Sequence, residues 1–127
     1  MSDREMLELA AKAAGMTIHA TNQAQRDACG AGDVGLWISN DTTCWNPLHR
    51  DGDALRLAVK LRLSAYHAPQ GWLLLMNPDG STASRVDFGD ESERLVATRR
   101  AITRAAAEIG KGMRPFPSAK EIRENWT

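Results

Sequence analysis

Apolar residues return every three to four positions in some stretches of the chain and every second position in others, and the change of period predicts the elements. Met6, Leu9, Ala10 and Ala13 share one helical face behind Ser2-Asp3-Arg4-Glu5, which has the Ser-x-x-Glu form of a capping box. Gly15 stands where a C-terminal capping glycine would, so a first helix is expected over residues 3–14. Thr17-Ile18-His19-Ala20-Thr21 is short, β-branched and alternating, and predicts a first strand. Residues 22–34 are polar and glycine-rich and read as loop. Leu36-Trp37-Ile38-Ser39 predicts a second strand, ended by a turn at Asn40-Asp41.

The stretch from Cys44 to Leu61 carries the least ordinary chemistry. Pro47 holds Asn46 out of the helical region, so the helix that follows begins later. Asp51 is the expected N-cap, with Asp53 favoured in the first turn by the helix dipole. Ala54, Leu57, Ala58 and Leu61 cluster on the helix surface, Leu55 and Val59 lie roughly 100 to 140° round, and Arg56 and Lys60 form the polar stripe. So wide an apolar arc predicts a helix covered on more than one side.

Two further strands are expected at Ser64–Ala68 and Gly71–Met76, the second apolar on both faces as in a sheet covered from both sides. Asn77-Pro78-Asp79-Gly80 makes a turn into the outgoing arm Thr82–Phe88, where Arg85 and Asp87 alternate with Val86 and Phe88. Asp90-Glu91-Ser92-Glu93 then caps a long helix over about residues 91–110. Its apolar stripe runs through Leu95, Thr98, Ile102, Ala105, Ala106 and Ile109, opposite Arg100, Arg104 and Glu108, and is narrow enough for close packing on a sheet. Beyond Pro115 and Pro117, a second capping box at Ser118–Glu121 opens a short terminal helix bearing Ile122 and Trp126. The fold expected is α+β: a three-layer α/β/α sandwich with a mostly antiparallel sheet over residues 1–114, and a short C-terminal helical tail over residues 115–127.

Composition narrows the function. At 127 residues, 43% apolar and 25% charged, the chain suits one ordinary globular core. No apolar run approaches the ~18 residues of a membrane span, and no basic-then-apolar leader opens the chain, so no membrane role and a cytoplasmic setting are expected. Cys29 and Cys44 are then free thiols. Sixteen basic residues balance sixteen acidic ones, which argues against nucleic acid as a partner, because such binding rests on a surplus of Lys and Arg.

Cys44-Trp45-Asn46-Pro47-Leu48, followed by Asp51-Gly52-Asp53-Ala54-Leu55-Arg56-Leu57-Ala58-Val59-Lys60-Leu61, resembles the core motif of the phage ABA-sandwich domain family, small phage and prophage proteins related to the NinX group of lambdoid phages. The closing helix, with Glu91, Arg99, Arg100 and Ala101, is similar to that of the family. The resemblance covers roughly residues 3–112 and implies an α-β-α layered domain encoded by a phage or prophage, so the cytoplasm expected is that of a bacterial host. It implies no particular reaction.

Several short motifs invite chemistry. Gly30-Ala31-Gly32-Asp33-Val34-Gly35 spells a dinucleotide-binding fingerprint, but that mechanism needs a strand before the glycines and a helix after them, and the flanking residues predict neither. His19, His49, His67, Cys29 and Cys44 show no zinc spacing, so neither metal nor cofactor is expected. His49, Asp51 and Asp53 could serve hydrolysis, yet Asp51 and Asp53 are accounted for as helix-start acids. Trp45 is either a lid on the core or a stacking platform, and the arginines at 94, 99, 100 and 104 are either a solvated face or an anion-binding one.

The candidate binding residues are accordingly Trp45, Asn46, His49, Arg50, Asp53, Arg99 and Arg100. The first expectation for function is a non-enzymatic phage or prophage accessory protein that binds a host or phage protein. The second is a binder of a nucleotide-like small molecule, as an anti-defence sponge would be, and a small hydrolase ranks third.

Overall fold

A computed structural model describes residues 1–30, 35–38 and 44–113. Helix α1 spans Asp3–Ala13 as the pattern predicts: the Ser2 hydroxyl accepts the Glu5 N–H at 3.1 Å, and Ala14 is the C-cap. The next segment departs from expectation. Of the strand expected over 17–21 only Ile18 pairs, bridging Ile38, and Ala20–Ala28 forms a second helix, α2, over the end of that strand and the start of the expected loop. His19 begins it, Nδ1 accepting the Asn22 N–H at 3.2 Å. Helix α2 buries one residue, Gln23, whose side chain accepts from the Trp37 N–H at 2.9 Å and donates to Asp27 at 3.1 Å. A helix docked through an amide leaves no apolar period to read.

Strand β1 (Leu36–Trp37) pairs antiparallel with β2 (Cys44–Trp45), and helix α3 then covers Asp51–Lys60. Two expectations about α3 are corrected. Its N-cap is Arg50, in extended conformation, with Asp51 inside the first turn. It is also covered on one side only: Asp53, Ala54 and Leu57 are buried, while Leu55 and Val59 are more than half exposed.

Strands β3 (Ser64–His67), β4 (Trp72–Met76) and β5 (Thr82–Asp87) make an antiparallel sheet in the order β3-β4-β5, with β4 in the centre. The Asn77–Gly80 turn closes as predicted, the Gly80 N–H donating to the Asn77 carbonyl at 2.9 Å. Leu73 and Leu75 point into the core. On the other face Trp72, Leu74 and Met76 are half-buried, and the Trp72 ring lies between Tyr66, 5.7 Å away, and the Arg85 guanidinium, 4.6 Å away.

Helix α4 (Arg94–Gly112) follows a 3-10 turn at Glu91–Glu93. Its outer stripe is as predicted, with Arg100, Arg104 and Glu108 exposed. Its buried arc is wider than a narrow stripe, running from Ala101 and Ala105 through Ile102 and Ala106 to Gly110, Thr103 and Ala107, whereas Leu95 is exposed. The width has a cause: α4 meets the sheet on one side, and α1 and α3 on others. α1 lies along it in the same direction, Asp3 beside Arg100, Leu9 against Gly110 and Lys12 reaching the Met113 carbonyl. The class is therefore α+β with two small antiparallel sheets, and among the described residues α4, rather than the sheet, is the element packed on several sides. The expected turn at Asn40-Asp41, Ser39 of the second strand and the tail over residues 115–127 lie outside the described residues.

Candidate ligand-binding site

The Trp-Asn-Pro segment is built by a buried polar network. Asn46 is 2% exposed; its side-chain oxygen accepts the Leu48 N–H at 3.1 Å, and its carbonyl accepts the N–H groups of His49 and Arg50. Pro47, which has no N–H to satisfy, packs fully buried at the turn. One carboxylate ties this turn to α3: Asp53 accepts the Asn46 backbone N–H at 3.0 Å with one oxygen and the Arg56 guanidinium at 2.8 Å with the other. A buried carboxylate taking two charge-assisted hydrogen bonds is held in one geometry, and it holds the turn in turn.

Against this turn opens a cavity of about 460 Å³. Met16, from the segment after α1, faces Ile38, Cys44, Trp45 and Leu57 across it. At the α3 side stand Asp53, Arg56 and Lys60. Residues 53, 56, 57 and 60 fall within roughly 100° of the helix circumference, so one stripe of α3 supplies both the apolar floor and the charged rim. The Arg56 side chain is 73% exposed despite its ion pair, which leaves most of its donors free to turn. The Cys44 thiol, which lines the cavity, is pushed up from its ordinary pKa, chiefly by burial.

The expected site residues divide. Trp45 and Asp53 line the cavity; Trp45 belongs to the core as well, serving as wall and lid together. Asn46 shapes the turn behind them. Arg50 is exposed and donates to the Cys44 carbonyl at 3.0 Å, bracing the same turn, and His49 is exposed. Arg99 and Arg100 are placed elsewhere: Arg99 clamps Asp51 at 2.7 Å and the Leu48 carbonyl at 2.9 Å, and Arg100 pairs with Asp3 at 2.9 Å. Arg94 holds the Ala68 carbonyl at 2.8 Å and pairs with Glu91, whose carboxyl it lowers below the ordinary range. Arg94 and Arg99 staple α4 to loops, and Arg100 joins α4 to α1.

Residues that sequence reasoning passed over are Met16, Ile38, Leu57, Arg56 and Lys60. Arg56 and Lys60 were legible as the polar stripe of α3; that the stripe overlooks an apolar hollow depends on where α1 ends. The hydrolytic set is dispersed in its bonding, with Asp53 committed to Asn46 and Arg56, and Asp51 to Arg99. The glycine fingerprint runs the wrong way for a dinucleotide. Residues 31–34 of it lie outside the described residues, but a helix, α2, ends just before Gly30 and a strand follows Gly35, the reverse of the strand-then-helix order that a pyrophosphate site needs. Gly35 has its own reason: at φ +146°, a Cβ there would sit 2.5 Å from the Trp45 carbonyl oxygen and 2.7 Å from the Cys44 sulfur. Only glycine lets β1 approach β2.

No protein-family model, curated protein or solved structure matches this chain, so the likeness to the phage ABA-sandwich family rests on the residues that carry it.

Proposed function

We propose that this protein is a non-catalytic binding module for a small molecule, held in the cavity between α3, the β1–β2 pair and the end of α1. The observation that carries the reading is the cavity itself. About 460 Å³ lies within the range of small-molecule sites, and its make-up, an apolar body with a few charged groups on one side, is the usual composition of such sites. Asp53 and Asn46 are engaged in holding the turn, which suits a preformed site more than a reacting one. In the phage or prophage setting that the resemblance implies, sequestering a host metabolite or signal is the role such a module would fill.

Native mass spectrometry of the protein from bacterial cells tests this. A noncovalent adduct is expected on the wild type and not on a Met16→Trp variant, in which the indole fills the hollow. A clean apo mass, together with no melting shift across a panel of small organic acids, would overturn the reading.

A second reading, a host or phage protein as partner, is favoured by one feature. The outer face of β4, with Trp72, Leu74 and Met76 half-buried beside exposed Tyr66, is apolar surface that a further layer or a partner would cover. The three-layer arrangement expected from the sequence would be completed by such cover.

A further inference from the structure

We infer that the ligand class of this cavity is an apolar, ring- or chain-bodied organic anion, a hydrophobic carboxylate, sulfonate or phosphate monoester, and that a nucleotide is disfavoured. This rests on the cavity being a binding site and deepens that reading.

The charge on the rim decides the sign of the ligand. Among the described residues of the rim, Arg56 and Lys60 against Asp53 leave one net positive charge, and both cations stand on the exposed margin where an anionic head could remain partly hydrated. Asp53 is spoken for on one oxygen by the buried Asn46 N–H, so it cannot turn to meet a ligand cation without breaking the turn. Arg56 can turn. Its pair with Asp53 uses one terminal nitrogen at 2.8 Å, and the guanidinium carries five donors, so a second oxyanion can be accepted beside the carboxylate. Lys60, one turn further along α3, adds a mobile point charge on the same side.

The wall decides the body. Among the described residues of the wall, the side chains of Ile38 and Leu57 offer no hydrogen-bonding group, Met16 offers only a weak thioether acceptor, and Cys44 and Trp45 offer one weak thiol and one indole N–H. A nucleoside brings a sugar and a base edge that would lose several water hydrogen bonds in such a hollow, each costing more than the wall returns. An aromatic or branched aliphatic body loses none, and the Met16 thioether and Trp45 ring suit an aromatic one.

The test uses the whole protein and three probes: 8-anilinonaphthalene-1-sulfonate, its neutral counterpart N-phenyl-1-naphthylamine, and AMP. The sulfonate is expected to bind at one site, about tenfold tighter than the neutral amine, as one charge-assisted contact allows, and AMP much more weakly than either. In the Arg56→Gln, Lys60→Gln double variant, the sulfonate should lose about that tenfold while the amine is unchanged; both substituted side chains are exposed, so the fold is retained. Met16→Trp should weaken both dyes. Equal affinities for sulfonate and amine in both proteins would overturn the anionic class and leave the cavity as a binder. Binding of neither dye would overturn the cavity itself. Sulfonate binding that ignores Met16→Trp would place the dye elsewhere and overturn the assignment, and AMP binding on a par with the sulfonate would overturn the exclusion of nucleotides.

Discussion

The contact between α1 and α4 and the turn from Cys44 to Leu48 are both buried, and opposite means hold them. At the first, the buried Met6, Ala10 and Ala11 of α1 pack on the face of α4 that carries Ala107 and Gly110, where small residues on α4 let two backbones come close. At the second, a 2%-exposed asparagine and an 8%-exposed aspartate close a ring of hydrogen bonds around a proline. The small-residue seam leaves no room, because dispersion rewards complete filling. The hydrogen-bonded turn fixes its own shape and leaves a hollow beside it. In this molecule the apolar seam is filled, and the polar turn borders the cavity proposed as the binding site.

The largest effect should come from filling the seam. A Cβ on Gly110 would run into the Leu9 carbonyl, with the carbonyl carbon 2.9 Å away, and neither is the free end of a side chain. Gly110→Ala must part the two helices and should cost about 3 kcal/mol or more. Gly112, two residues on, has nothing within 4 Å of such a Cβ, so Gly112→Ala should leave stability unchanged or raise it by less than ~1 kcal/mol. Urea unfolding of the pair checks this. Equal effects at the two glycines would remove the distinction between a filled seam and an open end.

At the turn, the comparison sharpens between two partners of one ion pair. Asp53→Ala removes the acceptor of a buried backbone N–H and should cost ~1–3 kcal/mol, whereas Arg56→Ala removes an exposed cation and should stay within ~0.5 kcal/mol. If the two variants were equally destabilised, the ion pair rather than the Asn46 bond would be holding the turn. Asp53→Ala should also loosen the cavity wall, seen as faster alkylation of the buried Cys44 thiol relative to the exposed Cys29.

How much of this was legible follows the same division. Where apolar period or cap chemistry determines structure, the residues spoke plainly: Ser2 capping α1, Pro78 and Gly80 turning the hairpin, Arg100 and Arg104 facing solvent. Where a polar side chain does the docking, they did not. Helix α2 reads as the end of a strand and then loop because its one buried residue is a glutamine, and the wide arc of α4 reads as a narrow stripe because alanine and glycine carry little apolar signal. Leu55 and Val59 misled in the other direction, being apolar and yet exposed. For the site, Trp45 and Asp53 stood out in a motif. Met16 could not, since its place beside Leu57 and Lys60 is set by the path of the chain after α1.

The smallest expected effect concerns α2, the element that most resembles the turn in how it is held. Arg4 of α1 reaches both oxygens of Asp27, at 2.9 and 3.1 Å, and Gln23 donates to the same carboxylate. These bonds, Arg4 first, hold the Asp27 carboxyl below its ordinary pKa. A carboxyl with a lowered folded-state value contributes its full share of stability above the unfolded pKa and loses it as the pH falls through the folded one. Acidification from neutral should therefore release α2 from α1 only below the ordinary carboxylate range, and Asp27→Asn should release it at every pH. Because Asp27 is exposed, global stability should hardly register either change. Amide exchange over residues 20–28 should register both, rising in the variant and at low pH while α1 and α4 stay protected. If α1 or α4 opened together with α2, a polar helix docked through Gln23 would be part of the core, and the contrast between the two kinds of contact would fail there first.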